Sequence, residues 1–278
     1  MKINFPIVNM LKDALFPTKC FMCGTFFKPG PHQIGCFPFR GLGEENFWAD
    51  YENIHFDGLM TPYLCPNCSG GFLPAESPIC IKCGMIFKSR EGEDHLCGEC
   101  LTAPKRFRIA RAPGIYDQAL MALIHYLKYN GKIQLAGPLG ALLFASFISL
   151  WDTNTIDFIV AVPLHIKRFR MRGFNQSFLL IRDWLRISEL LNVNIAHVQI
   201  DRHVLVRSRW TDPQTGLGRK KRISNIKNAF SITDPRKVAG KRILLVDDVY
   251  TTGTTANECA KVLLKSGAKY VDVLTLAR

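Results

Sequence analysis

The chain has 278 residues, 47% apolar and 21% charged, enough to bury one or two sizeable cores and too apolar for a disordered or fibrous protein. Its net charge of +13 is unevenly spread: residues 1–103 carry 8 basic and 11 acidic side chains, residues 104–278 carry 28 and 12. The basic character belongs to the C-terminal part, and a surface of that sign attracts nucleic acid or small phosphorylated molecules. The first twenty residues do not read as a secretory signal, because Lys12 and Asp13 interrupt the apolar run and no small-residue cleavage site follows. Cytoplasmic residence is the expectation, and the cysteines agree with it. Nine of the ten fall before residue 101 and eight form CxxC pairs, a spacing that suits metal better than a secreted disulfide framework.

The pairs are Cys20/Cys23, Cys65/Cys68, Cys80/Cys83 and Cys97/Cys100, which make two four-thiolate zinc sites. Each CxxC turn sets two sulfurs on one side of a knuckle, and two knuckles complete a tetrahedral shell. Gly24, Gly84 and Gly98 follow cysteines where a knuckle needs a residue tolerant of positive φ. A sequential and an interleaved arrangement use the same residues; thirteen residues separate Cys83 from Cys97, a comfortable ribbon loop, so the expectation is that these two pairs share one ion and Cys20/Cys23 with Cys65/Cys68 the other. The 41 residues between Cys23 and Cys65 form an insertion rich in Gly, Pro and aromatics, to which the sequence assigns no role. Eight thiolates on two Zn²⁺ add further negative charge to an already acidic segment, so a structural role is expected rather than a grip on phosphate. Cys36 and Cys259 read as bland, the latter as a small core residue on a helix, and His95 as a solvated loop residue.

His125 and Lys128 lie one helical turn apart on an amphipathic segment and project from one face, where packing, a salt bridge and catalysis are equally open roles. The longest apolar stretch, Leu139–Trp151, contains Gly140, Ser146 and Ser149 and is too short and mixed to span a bilayer; a buried helix without membrane insertion is expected. Phe158–Leu164 reads as an apolar strand leading to His165 and then to Lys167, Arg168, Arg170 and Arg172, four cations within six residues that suit phosphate oxygens. The Gly- and Pro-broken basic segment Leu205–Phe230 reads as a mobile hood rather than regular structure, with Arg207, Arg209, Thr211 and Gln214 as its candidate contacts. It suits closure over a bound ligand and equally a nucleic-acid backbone, for which Trp210 offers a stacking face.

Ile243–Val246 is four consecutive aliphatic residues, the signature of a buried parallel strand. It leads into Asp247 and Asp248, then the turn Thr251-Thr252-Gly253-Thr254-Thr255, then a helical pattern ending at Ser266-Gly267, and a second strand at Tyr270–Leu276. In open parallel sheets the ligand sits beyond the carboxyl ends of the strands. There the turn offers backbone N–H groups, hydroxyls, a glycine for close approach and a helix N-terminus, which together suit a phosphate monoester. Two carboxylates beside such a cradle need another task, and accepting from sugar hydroxyls or holding Mg²⁺ through waters satisfies the geometry. No GxxxxGK[ST] occurs, which excludes a Walker A loop.

Ile243–Thr255, ILLVDDVYTTGTT, resembles the phosphoribosyl pyrophosphate (PRPP) motif of type I phosphoribosyltransferases. That resemblance implies that Asp247 and Asp248 hold the ribose hydroxyls, that Thr251–Thr255 bind the 5′-phosphate, and that Lys167, Arg168 and Arg172 face the pyrophosphate. More broadly, the CxxC pairs, Arg111-Ala112, Tyr116, Leu123–Tyr129, Val162-Pro163-Leu164, Arg172-Gly173-Phe174-Asn175-Gln176, Thr211/Gln214/Leu217/Arg222/Asn225 and the PRPP motif together resemble the ComF family of competence proteins. Ala161, Lys221 and the long insertion depart from the family pattern, and none touches the motif. The resemblance implies a double zinc-ribbon module at 1–103 and an α/β domain of type I phosphoribosyltransferase fold at 104–278, a parallel sheet flanked by helices. It also implies a link to natural transformation and cytosolic handling of single-stranded DNA, with a helicase-like DNA-uptake protein as a candidate partner. Transfer of phosphoribosyl from Mg·PRPP to an acceptor the sequence does not name is the first functional expectation. A non-catalytic PRPP sensor and a single-stranded nucleic-acid binder are the alternatives.

Overall fold

Runs of aliphatic residues form the centre of the molecule because both faces of a parallel sheet must be covered. The computed structural model describes residues 17–29, 54–211 and 224–278; Cys36, Gln214, Arg219–Arg222 and most of the insertion lie outside them. Near the N-terminus β1 (Thr18–Lys19) and β2 (Phe26–Phe27) form a small antiparallel hairpin. Two short helices follow, α1 (Phe56–Met60) and α2 (Pro66–Ser69), then α3 (Gly98–Thr102). The sheet strands are β3 (Ala110–Arg111), β4 (Phe158–Ala161), β5 (Gln199–Asp201), β8 (Arg242–Val249) and β9 (Tyr270–Ala277), all parallel in the order β3-β9-β8-β4-β5. Between β5 and β8, β6 (Leu205–Arg207) and β7 (Phe230–Ile232) pair antiparallel outside the sheet. The segment expected to lack regular structure therefore has a paired stem: Leu205 and Phe230 are buried, and their burial fixes the register.

Alternation along β8 divides the core. Leu244 and Val246 face the helices α4 (Gln118–Tyr129) and α5 (Ala136–Leu150), while Ile243 and Leu245 face α9 (Thr254–Lys265). The remaining helices are α6 (Ile166–Arg172), α7 (Gln176–Leu179) and α8 (Trp184–Leu190). Asp117 caps α4 by accepting from Gln118 N, and the helix buries Ala119, Leu120, Leu123, Ile124 and Leu127 on one face. With the turn before it, α5 is long and apolar enough to cross a membrane by composition, yet Leu139, Leu143, Phe144 and Phe147 lie fully inside the core. At the sheet edge the fully buried Asp272 of β9 accepts from Arg108 Nε at 2.9 Å and Trp151 Nε1 at 2.8 Å, which fixes the approach to β3 and the end of α5.

The cysteine-rich segment shares these cores. Cys20, Cys65 and Cys68 pack with the α4/α5 side, and Cys80, Cys83, Cys97 and Cys100 with the α9 side. Gly24 and Gly84 take the expected positive φ, +74° and +66°. Gly98 does not; it opens α3, because the second knuckle of that site continues directly into a helix.

Close packing makes a specific prediction at Gly140, where an added Cβ would lie 2.5 Å from the Leu180 carbonyl oxygen. Backbone cannot yield as a side chain does, so Gly140→Ala should destabilise by about 1–3 kcal/mol. Gly58→Ala, in open space within α1, should be neutral or stabilising by up to about 1 kcal/mol. Urea unfolding of the two variants measures the contrast.

Candidate functional site

At its carboxyl end β8 carries both aspartates inside the strand, not after it, so they turn to opposite faces. Asp248 is 4% exposed, and its Oδ1 pairs with Lys128 Nζ at 2.8 Å. Burial alone would push the Lys128 ammonium down, but the Asp248 carboxylate outweighs it and the net direction is up. The other oxygen of Asp248, Oδ2, is buried with no hydrogen-bond partner among the described residues. Asp247 Oδ1 accepts from Ser177 Oγ at 2.9 Å and from Asp248 N at 2.9 Å. Desolvation and then the neighbouring Asp248 charge push the Asp247 carboxyl up to about 7.

Ser177 reaches Asp247 because of the sequence before it. Gly173, at φ +84°, closes α6, and Asn175 then caps α7 by accepting from Ser177 N while its Nδ2 donates to Val162 O at 3.1 Å. Of the two residues on the face of α4, Lys128 joins the site; His125 instead bonds Tyr116 Oη through Nε2 at 2.9 Å.

Beyond β8 the chain folds into a small pocket lined by Asp247, Val249, Tyr250, Thr251, Thr252, Gly253, Thr254, Thr255, Ala256 and Thr275. Gly253 sits at φ +68° directly over the Tyr250 ring, where a Cβ would meet the hydroxyl at 2.0 Å, so only glycine fits. Thr252 and Thr254 hydroxyls lie 2.8 Å apart. The twelve-residue α9 begins here, and its first N–H groups and dipole favour an anion in the pocket.

The predicted cations do not line this pocket. On α6, Arg168 Nη2 donates to Thr211 O at 3.0 Å and its guanidinium lies 5.3 Å from the Trp210 ring centre; Lys167 lies 5.7 Å from the same ring. His165 packs edge-on to Trp210 at 5.2 Å and accepts from Lys167 N through Nδ1, which leaves its proton on Nε2. Burial, then the cations Arg207, Lys167 and Arg168, push His165 down. Arg207 donates to Thr211 Oγ1 and has a buried, unpartnered Nε; burial and Arg168 lower it to about 10. Arg209 is occupied with the carbonyls of Asn225 and Lys227, which holds the far side of the stem. Arg172 turns the other way, to Gln176 Oε1 and the Tyr129 ring. The sequence signalled neither Ser177 nor the Lys128–Asp248 pairing, since both contacts join residues far apart in the chain.

Both cysteine groups assemble as expected. The sulfurs of Cys20, Cys23, Cys65 and Cys68, and those of Cys80, Cys83, Cys97 and Cys100, lie within 4.8 Å of one another in each group. Burial raises the Cys80 thiol, but the N–H groups of Cys83 and Cys97, at 3.5 and 3.4 Å from its Sγ, help bring it down to about 6. Burial pushes Cys83 up to about 11 and Cys100 up as well, so the group without an ion favours a single thiolate, and a tetrahedral metal ion is what lets four sulfurs ionise together. Cys259 is fully buried in the core, and His95 stacks on Phe87 outside the sulfur groups.

A family described as the phosphoribosyl transferase domain matches residues 190–278, the span that holds β8, the turn and β9. DNA utilization protein YhgH of Escherichia coli (strain K12) is 35% identical over 222 residues, covering 77% of this chain and 90% of that protein. Competence protein F of Haemophilus influenzae is 30% identical over 230 residues, 78% of this chain and 97% of that one. Competence protein ComFC of Streptococcus pneumoniae is 29% identical, covering 77% and 80%.

Asp247 carries a pH prediction. Its ordinary value is 3.8 and its folded value about 7, so between these limits the folded chain holds a proton that the unfolded chain has released. Stability contributed by this group is therefore full below the lower limit and is lost as pH rises through the upper one. Asp247→Asn keeps the acceptor for Ser177 and abolishes the titration. It should match wild type near pH 4 and exceed it above pH 7 by up to about 4 kcal/mol; thermal unfolding across that range checks this, and a pH-independent difference would contradict it. Lys128→Met, which strands Asp248 without its cation, should cost about 3–5 kcal/mol in the same assay.

Proposed function

The chain belongs to the competence protein F family, and from that premise we propose that it binds PRPP with Mg²⁺ at the β8 turn and transfers the phosphoribosyl group to an acceptor. The supporting observation is the pocket that joins Asp247 to five successive residues, Thr251–Thr255, at the carboxyl end of a central parallel strand. In this reading the turn and the N-terminus of α9 hold the 5′-phosphate. The unpartnered Oδ2 of Asp248 accepts from a ribose hydroxyl or a metal-bound water, and Asp247 takes the same role when ionised. Mg²⁺, when bound, neutralises diphosphate charge and so makes pyrophosphate a better leaving group. The Lys167, Arg168 and Arg172 side chains stand on α6, after the neighbouring strand β4, and in this reading leave their present partners to offset charge on the departing pyrophosphate. A nitrogen nucleophile forms the new bond to C1 as the bond from C1 to pyrophosphate oxygen breaks, and its proton passes to solvent or a nearby base. The paired stem of β6 and β7, with Arg207, Arg209 and Thr211 at its base, takes the hood role among the described residues and limits hydrolysis. The two sulfur groups hold structural Zn²⁺, for which four thiolates per ion are the favoured shell. Residues 1–103 serve as the ribbon module and residues 104–278 as the phosphoribosyltransferase domain. The names of the relatives support a role in DNA uptake inside the cell.

A second reading rests on the exposed surface of α6. Ile166, Phe169 and Met171 are exposed there, beside Trp210 and the basic side chains of the helix, a mixture of cations and apolar faces that suits single-stranded nucleic acid. Such binding should be sequence-independent, at best micromolar, and should weaken steeply with salt. A PRPP site and this surface are compatible.

Calorimetric titration of Mg·PRPP into metal-loaded protein, beside Asp247→Asn/Asp248→Asn and with pyrophosphate followed in the same samples, tests the reading. Saturable binding lost in the double variant supports it; no binding in folded, metal-loaded wild type overturns it. Pyrophosphate release with one particular acceptor separates an enzyme from a sensor.

A further inference from the structure

The chain between the second sulfur group and the phosphate turn is a short series of contacts made by a residue the proposed chemistry does not use. Arg278 Nη2 donates to Cys83 Sγ at 3.1 Å. The same guanidinium lies flat against Tyr250, 4.3 Å from the ring centre. Tyr250 in turn fills the space beneath Gly253, as the 2.0 Å approach of a hypothetical Cβ to its hydroxyl shows, and its other side meets the fully buried Phe107 edge-on at 6.0 Å. The backbone of Arg278 is fixed at both ends: its N donates to Gly114 O at 3.0 Å and its O accepts from Tyr116 N at 2.7 Å. Only the side chain is left to respond.

From these contacts we propose that the Cys80/Cys83/Cys97/Cys100 centre sets the shape of the Thr251–Thr255 turn through Arg278 and Tyr250, so that occupancy of the metal site governs affinity for the phosphorylated ligand. The inference deepens the PRPP reading and rests on it. Four thiolates around a divalent ion carry a net charge of −2, and a cationic N–H donor at one sulfur is the partner such a centre attracts. When the metal leaves, the tetrahedral fixing of Cys83 Sγ is lost, and with it the contact that holds the guanidinium in place. Tyr250 depends on the same guanidinium, which lies against its ring and interacts with its hydroxyl. Once Sγ no longer holds the guanidinium, the ring is no longer held beneath Gly253, and the turn, whose positive φ is braced by that ring, loses its support. Arg278 is thus a positioning residue: it touches a metal ligand and a residue of the pocket wall. Coupling of this kind is reciprocal, so ligand in the turn must alter the metal centre.

Cobalt reports both directions, since Co²⁺ in a tetrathiolate site absorbs visibly and its bands respond to hydrogen bonds at sulfur. Mg·PRPP added to the cobalt-loaded wild type should shift these bands, and Arg278→Met should abolish the shift and weaken Mg·PRPP binding about tenfold while two metal ions per chain are retained. Arg278→Lys, which keeps the charge but not the flat stacking surface, should fall between. Tyr250→Leu leaves the four sulfurs and the Arg278 contact to Cys83 in place and provides the second route should Arg278→Met lose metal: it too should weaken binding and silence the cobalt response. Binding within twofold of wild type in both Arg278→Met and Tyr250→Leu overturns the inference, as do bands in wild type that stay unmoved at saturating ligand. A wild type that binds no Mg·PRPP overturns the reading of the pocket and the inference with it, an outcome distinct from binding that leaves the cobalt centre unmoved.

Discussion

The ion pair between Lys128 and Asp248 is what lets a fully buried strand end in acid. β8 lies between β4 and β9 with Ile243–Val246 completely enclosed, and an acidic side chain at its end sits where water cannot reach it. Burying such a charge without a partner is expensive. α4 supplies the partner: its apolar face docks on the sheet through Leu123, Ile124 and Leu127, and the next residue, Lys128, is delivered to Asp248. The placement of α4 and the chemistry at the end of β8 are therefore one constraint. Strand alternation then gives Asp247 a different environment. It has a hydroxyl donor in Ser177 but no direct cation, and it moves to about 7. Two adjacent identical side chains thus differ in partner without any further device.

Local signals in the sequence carried much of the fold, and the reasons are physical. Four aliphatic residues followed by Asp-Asp and a Thr/Gly turn can be little else than a buried strand opening onto a phosphate-sized turn, and the structure adds only that the strand runs through Val249. The CxxC spacing is local too, and each knuckle found the partner that loop length favoured. Gly253 was legible for the same reason: its positive φ is a property of the turn itself. What escaped were contacts between distant segments. Lys128 meets Asp248, Ser177 meets Asp247 and Arg278 meets Cys83 only after the sheet has formed, and no periodicity encodes them. The stem of the basic segment was missed because three-residue strands are too short to show alternation, although Leu205 and Phe230 are both buried.

The cysteine-rich segment is built into this arrangement from both sides. Phe21, between Cys20 and Cys23, packs at 5.1 Å against Tyr126 of α4, one turn below the residues that end at Lys128, and Phe21 N donates to Tyr63 O at 2.9 Å. On the other side Ala110 N of β3 donates to Lys82 O at 2.8 Å, and Gly84 lies so close to the Ala110 carbonyl that a Cβ would sit 2.7 Å from it. One sulfur group thus buttresses the helix that carries the cation, and the other the edge of the sheet next to the turn. An appended tag would have its own small core and a polar seam; here every ligating cysteine but the exposed Cys23 belongs to the same two apolar clusters as the strands.

Charge is arranged in layers as a result. The aspartates are innermost, one of them paired; the hydroxyl-rich turn and the start of α9 come next and are uncharged; the arginines and lysines of α6 and the stem stand outside. Burial, and then the nearby Arg168 charge, lowers Arg207 to about 10, so the outer cations are themselves crowded. Asp247 shares the pocket with the neutral donors of the turn, and Asp248 Oδ2 is buried without a hydrogen-bond partner among the described residues, so a second anionic group is unwelcome at that depth and a hydroxyl or a bound cation is not. On the proposed reading, a ligand anionic at one end and hydroxylated in the middle matches the turn and the acids together, where a simple anion matches the turn alone.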